Sequence, residues 1–122
     1  MVEIRREDFS IDEIIRKMKN HRIGAIAIYV GTVREFPQGA GLEFEAGNRA
    51  VHKLREIEKR ALNRFDVQDV AIVHRVGFLG ISENILLIAV SAAHRGPAFD
   101  ACQSIIDDIK DFHKSWGKEV KK

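Results

Sequence analysis

The sequence predicts an α+β domain, a mixed and mainly antiparallel sheet with helices packed on it. Three observations lead there. The elements run helix, strand, strand, helix, strand, strand, helix. Consecutive strands are joined by short turn-rich segments, which favours hairpins over crossovers. The strand candidates are short, apolar and β-branched, whereas the helix candidates carry a single apolar stripe. The 122 residues are the usual size of one domain, so residues 1–122 are expected to form a single unit with a substantial core.

Taken in order, Ser10 and Glu13 form a capping box, and Ile11, Ile14, Ile15 and Met18 follow at helical spacing. "RIGAIAIYVGTV" reads as a buried strand. "REFPQGAG" is a loop, and "LEFEA" alternates as a half-exposed strand does. Asn48 is placed to cap a helix, "RAVHKLREIEKRALNRF", whose stripe is Val51, Leu54, Ile57, Ala61 and Phe65. "DVAIVHRVGFLG" and "NILLIAVSAA" read as two strands separated by the turn "GISEN". A last helix should begin around Gly96 to Pro97 and run to about Phe112, with Pro97 in the first turn, where proline is tolerated. The basic tail "KEVKK" reads as solvated.

Composition excludes several function classes. With 20 Lys and Arg against 18 Asp and Glu, the charge is too balanced to point to nucleic acid. Runs such as "IAIYV" and "ILLIAV" are too short to cross a bilayer, and the charged N-terminus has no apolar core of a secretory signal. A cytoplasmic protein without membrane partners is therefore expected, and the single Cys102 agrees with a reducing compartment. The five histidines show no metal-ligand spacing, and no Walker loop or dinucleotide fingerprint is present. No bound cofactor is expected.

The segment "VSAAHRGPAFDACQSIIDDIK" holds the candidate chemistry. His94 and Arg95 stand where a helix begins. The first amides of a helix lack internal partners and carry the positive end of its dipole, so two such side chains beside them make an anion site. The alternative is an arginine paired to a neighbouring carboxylate. Arg34 closes the first long strand and offers the same choice between a phosphate and a carboxylate such as Glu35. His74 and Arg75 lie within one strand and must point to opposite faces, with a structural hydrogen bond the natural role of His74. Phe99, Cys102, Ile105, Ile106, Ile109 and Phe112 gather on one side of the last helix, which makes Cys102 a core residue. Lys110 lies at the edge of that stripe, almost in line with Phe99 and Ile106. Such a lysine either covers apolar surface with its stem or presents a partly desolvated amine to a site.

In order and spacing, "GAIAIYVGTVRE", "LEFEA", "VAIVHRVG", "VSAAHRGPAFDACQSIIDDIK" and "SWGKE" resemble the large, catalytic subunit of molybdopterin synthase, over roughly residues 23 to 119. The resemblance implies an α/β-hammerhead fold and a homodimer. It implies a sulfurtransferase of molybdenum cofactor biosynthesis, a heterotetramer in which each large subunit binds a small ubiquitin-like carrier ending in a Gly-Gly thiocarboxylate. The carrier's sulfur passes to cyclic pyranopterin monophosphate, forming the dithiolene of molybdopterin. By the same resemblance Lys110 is the catalytic lysine, and Arg34, His94 and Arg95 bind the pterin phosphate. Tyr29 lines the pocket where the family often has phenylalanine. Three departures are visible. Gly117 stands where the family usually has a second lysine, for which Lys118 and Lys114 are the candidate substitutes, neither of them in register. Gly47 replaces a tyrosine, and the chain stops earlier than its relatives. These departures leave a second reading open: a dimeric paralogue that binds carrier or pterin phosphate without turnover.

Helix length adds an expectation. At about 1.5 Å per residue, Lys110 lies roughly 20 Å from the start of its helix. His94 and Arg95 are thus expected to meet the Lys110 and Arg34 of a sister subunit rather than their own.

Overall fold

A computed structural model describes residues 1–122. Seven strands and three helices follow in the order β1 (Val2–Arg5), α1 (Ile11–Met18), β2 (Ala25–Thr32), β3 (Gly39–Phe44), α2 (Ala50–Arg64), β4 (Asp69–Arg75), β5 (Gly77–Gly80), β6 (Asn84–Ala92), α3 (Arg95–His113) and β7 (Gly117–Lys121), with a 3-10 turn at Lys114–Trp116. The expected α+β class is observed. The strands form two sheets, one of four strands in the order β1-β4-β6-β2 and one of three in the order β5-β3-β7. Only the β1–β4 pair is parallel.

Alternation along β4 and β6 divides the core between the two faces of the larger sheet. Val70, Ile72, Ile88 and Val90 face one way and pack with Leu54, Ile57, Ile105 and Ile109 of α2 and α3. Ala71, Val73, Leu87 and Ala89 face the other way, against Phe9, Ile14 and Met18. Strands covered on both sides read as unbroken apolar runs, which is why "ILLIAV" carries no alternation of its own. Phe44 and Leu79 of the smaller sheet join the cluster of α2 and α3. That shared core carries the smaller sheet against the C-terminal end of α3.

Several local expectations need correction. Ser10 caps α1, its Oγ accepting from the Glu13 amide at 3.2 Å, but the Glu13 carboxylate pairs with Lys17 instead of completing the box. Asn48 does not cap α2. Arg49 occupies that position and its side chain makes no capping bond, because the helix starts one residue later than the asparagine requires. The run 69–80 is two strands. The backbone breaks at Gly77, whose φ of +95° suits glycine, and passes from one sheet to the other. The segment 34–41 is a loop only in its first part, since β3 begins at Gly39. Helix α3 starts at Arg95 and keeps Pro97 within its first turn. The tail is not merely solvated, since β7 pairs antiparallel with β3.

Candidate functional site

Lys110 projects from the last turn of α3, one turn after Ile106. Ile105 and Ile109 are buried beneath it and fix the helix on the sheet. Lys110 itself is exposed, its ammonium is in no ion pair, and it lines a cavity of about 180 Å³. Tyr29, Gly31 and Thr32 of β2 form the opposite wall, and His113 closes one end. Tyr29 reaches over Gly31: a Cβ there would stand 3.4 Å from the phenolic oxygen. The structure therefore brings together Lys110 and Tyr29, two residues singled out from the sequence. Arg34 follows the Thr32 wall by two residues and is exposed.

His94 and Arg95 sit at the other end of α3. His94 occupies the N-cap position in extended conformation, and its side chain makes no capping bond. Arg95 is the first helical residue, and the first turn contains no acidic side chain. His94, Arg95 and Arg34 are all exposed, and none is held by a carboxylate of the chain. The pairing of Arg34 with Glu35 is thus not what the fold provides. Fifteen residues separate Arg95 from Lys110, about 22 Å along the helix axis. Within one chain His94 and Arg95 do not reach the Lys110 cavity.

Lys118 is not brought to the Lys110 cavity either. It lies in β7 opposite Glu43 and lines a separate cavity of about 440 Å³ with Glu43, Glu45, Ser115 and Trp116. Cys102 is buried in α3, and burial raises its thiol above the usual range, in keeping with a core residue.

Behind the Lys110 cavity lies an aromatic cluster that the sequence did not announce. His74 meets Phe44 edge-on at 5.2 Å, Trp116 at 5.0 Å and His113 at 5.7 Å. The His74 Nδ1 lies 2.7 Å from the Arg75 carbonyl oxygen, the structural hydrogen bond expected of it. Its Nε2 is enclosed without a partner. Burial pushes the imidazole down to about 4, so it is neutral at physiological pH. His113 is also held below its ordinary range, by burial first and then by the charges of Lys114 and Lys110. Arg75 points the other way, as alternation requires. It donates to the carbonyls of Arg6 and Asn84, both at 3.0 Å, and to Glu83 at 3.3 Å. The one signal that could have drawn attention to His113 is its position one turn after Lys110.

No group of three or more His, Cys, Asp or Glu side chains is arranged to hold a metal ion. No helix is long and apolar enough to cross a membrane.

Comparison with known proteins places the fold and the sequence in one family. The family model described as MoaE protein matches residues 4–112. The molybdopterin synthase catalytic subunit of Pyrococcus abyssi is 39% identical over 118 residues, covering 93% of this chain and 80% of that protein. The crystal structure of molybdopterin synthase from Staphylococcus aureus superposes with a TM-score of 0.88 at 33% identity, covering 98% of this chain and 90% of that one. A complex of subunits 1 and 2 of the molybdopterin-converting factor from Helicobacter pylori shares the fold, with a TM-score of 0.75 at 19% identity over 89% of this chain and 77% of that one. A family model matched over residues 4–112, together with a relative 39% identical along 93% of the chain, makes the chain a member of the MoaE protein family.

Proposed function

We propose that the chain is the catalytic subunit of a molybdopterin synthase, a sulfurtransferase of molybdenum cofactor biosynthesis. It moves sulfur from the C-terminal thiocarboxylate of a small ubiquitin-like carrier to cyclic pyranopterin monophosphate, forming the dithiolene. The observation that carries this reading is Lys110, an unpaired ammonium at the rim of a cavity walled by Tyr29. An ammonium there attracts the carrier's anionic tail. It also stabilises negative charge that builds at the acyl carbon as sulfur is transferred. The H. pylori protein that shares this fold was solved as a complex of subunits 1 and 2, which is in keeping with a second subunit as partner.

The phosphate of the pterin is met by Arg34, His94 and Arg95, two guanidiniums and an imidazole free of internal carboxylates, the last two beside the open amides of α3. They bind and orient; they do not break bonds. Because about 22 Å separates Arg95 from Lys110, the working pocket is composite. His94 and Arg95 come from one protomer, Lys110 and Arg34 from its partner. The free edge of β2 supports such a homodimer. It presents half-buried Ile26, Ile28 and Val30 on a strand paired on one side only. A two-fold axis builds two pockets, and two carriers make a heterotetramer.

Mixing Lys110→Ala and Arg95→Ala proteins tests the arrangement, with thiocarboxylated carrier and with pyranopterin precursor held far below the raised KM of the Arg95→Ala protein, where neither parent forms appreciable product. Random reassortment should restore roughly a quarter of wild-type dithiolene formation, because half the dimers then hold one intact pocket of two. No recovery excludes the composite site. Carrier binding without any product from the wild-type protein would instead favour a binding module that does not turn over.

A further inference from the structure

His113 lies one helical turn beyond Lys110 and lines the same cavity. Its ring stacks on Phe44, with centroids 6.3 Å apart and planes 13° apart, and meets His74 edge-on. Its Nδ1 is enclosed without a partner, whereas its Nε2 is not enclosed. His74 presents the complementary half. Its Nδ1 faces a carbonyl oxygen, which only accepts, so that nitrogen carries the proton and the enclosed Nε2 carries a lone pair. Of the two unpartnered nitrogens in the cluster, one is therefore an acceptor. The two rings meet edge-on at 5.7 Å with no hydrogen bond between them, and a proton on His113 Nδ1 is the arrangement that avoids gathering two lone pairs in one dry cluster. The His113 lone pair is thus left on Nε2, on the open side of the ring.

We propose that His113 is a positioning residue for Lys110: its Nε2 accepts a hydrogen bond from the ammonium and holds that charge toward the Tyr29 wall of the cavity. The proposal rests on the reading of Lys110 as the group that meets the carrier's acyl end. The groups facing His113 are Lys110 and Lys114 along its own segment, His74 from β4, Phe44 from β3, and Tyr29 across the cavity from β2. No carboxylate is among them. Burial and the two lysines keep the imidazole neutral, which leaves Nε2 free to accept. Protonation turns that acceptor into a like charge beside Lys110. The sulfur-transfer step should therefore lose rate in acid through His113.

Two variants and one spectroscopic measurement on the full chain test this. His113→Phe keeps the stacked ring and removes the acceptor. His113→Gln places an amide acceptor near the position of Nε2 and does not titrate. With thiocarboxylated carrier and pyranopterin precursor, the Phe variant should lose about tenfold or more in kcat at an unchanged KM for the pterin, while the Gln variant stays within about threefold of wild type and lacks the acid limb of the pH profile. A Phe variant as active as wild type overturns the proposal, and so does a Gln variant as slow as the Phe variant. Nitrogen-resolved NMR of the histidine rings reads the same arrangement without any turnover. His113 should be the neutral tautomer protonated at Nδ1, and protonation at Nε2 overturns the proposal even where the Phe variant fails to fold. An active Lys110→Ala protein would instead sink the catalytic reading while leaving that tautomer in place.

Discussion

The ring of Phe44 fills the space that a side chain at Gly117 would need: a Cβ at residue 117 would lie 2.8 Å from Phe44 Cε1. The two residues are directly opposed across β3 and β7. Phe44 is buried and is held by His74 on its edge and His113 on its face, so it has no room to swing away. The lysine that the family resemblance places at this position is therefore incompatible with the packing found here. Gly117→Lys should lower stability by about 1–3 kcal/mol through overpacking. Chemical denaturation of Gly117→Lys, Phe44→Leu and the double variant checks it. The double variant should lose less than the sum of the singles, and strict additivity would remove the steric link.

The buried His74 predicts a specific acid weakness. Its imidazole titrates near its ordinary 6.5 when unfolded and at about 4 when folded. Between those values the unfolded chain binds more protons, so stability is full above the unfolded value and falls as pH drops through it. The loss grows until pH is near 4 and amounts to about 3 kcal/mol for this one group. His113 contributes with the same sign. Asp8 acts only lower, because its hydrogen bond from Asn84 is lost when the carboxyl protonates below the usual range. Denaturant midpoints between pH 7 and pH 4 should fall for the wild type and flatten in His74→Phe. Parallel curves for the two proteins would contradict the assignment.

Arg75 joins three pieces of chain that are remote in sequence. Its guanidinium donates to the Arg6 carbonyl beyond β1, to the Asn84 carbonyl that opens β6, and to the Glu83 carboxylate. The side chain is only 11% exposed, so removing it leaves carbonyls without donors rather than returning them to water. Arg75→Met should cost about 2–4 kcal/mol, and Arg75→Lys should recover little, since an ammonium does not reproduce the fork. Glu83→Gln should cost under about 1 kcal/mol, because its side chain is 47% exposed and the amide oxygen still accepts from Gly80. Thermal or denaturant unfolding of the three variants gives the ranking. An Arg75→Met loss no larger than that of Glu83→Gln would show that the carbonyls find other donors.

What could be read in advance divides along the range of the interactions. "ILLIAV" announces β6 because a strand buried on both faces needs only apolar residues. Ser10 announces the start of α1 because its bond is made three residues away. Val2–Arg5 and Gly117–Lys121 announce nothing: each is short and half charged, and becomes a strand only because β4 or β3 lies alongside. The site divides the same way. Lys110 is found from its place on the α3 stripe and from the family resemblance, and Tyr29 from the resemblance alone. His113 acquires meaning only when folding sets it against His74. Lys118, next after Gly117, is turned by strand alternation toward a cavity lined by Glu43 and Glu45 rather than toward Lys110.

The division of labour between the two ends of α3 should show in kinetics. Arg95, His94 and Arg34 meet no carboxylate within the chain, so each is free to hold an anion. A hydrogen bond to a phosphate oxygen is made equally in the ground state and the transition state, and its loss therefore weakens binding without slowing the chemical step. Arg95→Ala should raise KM for the phosphorylated pterin by about tenfold to a hundredfold with kcat nearly unchanged. Arg95→Lys should fall between, keeping charge but losing the bidentate fork. Lys110→Ala should do the opposite and lower kcat with little change in KM. The Arg95 effect should shrink as salt is raised, because chloride screens the exposed cations that remain. Should Arg95→Ala lower kcat as steeply as Lys110→Ala does, the arginine acts on the reacting atoms, and the separation of binding from chemistry along α3 fails.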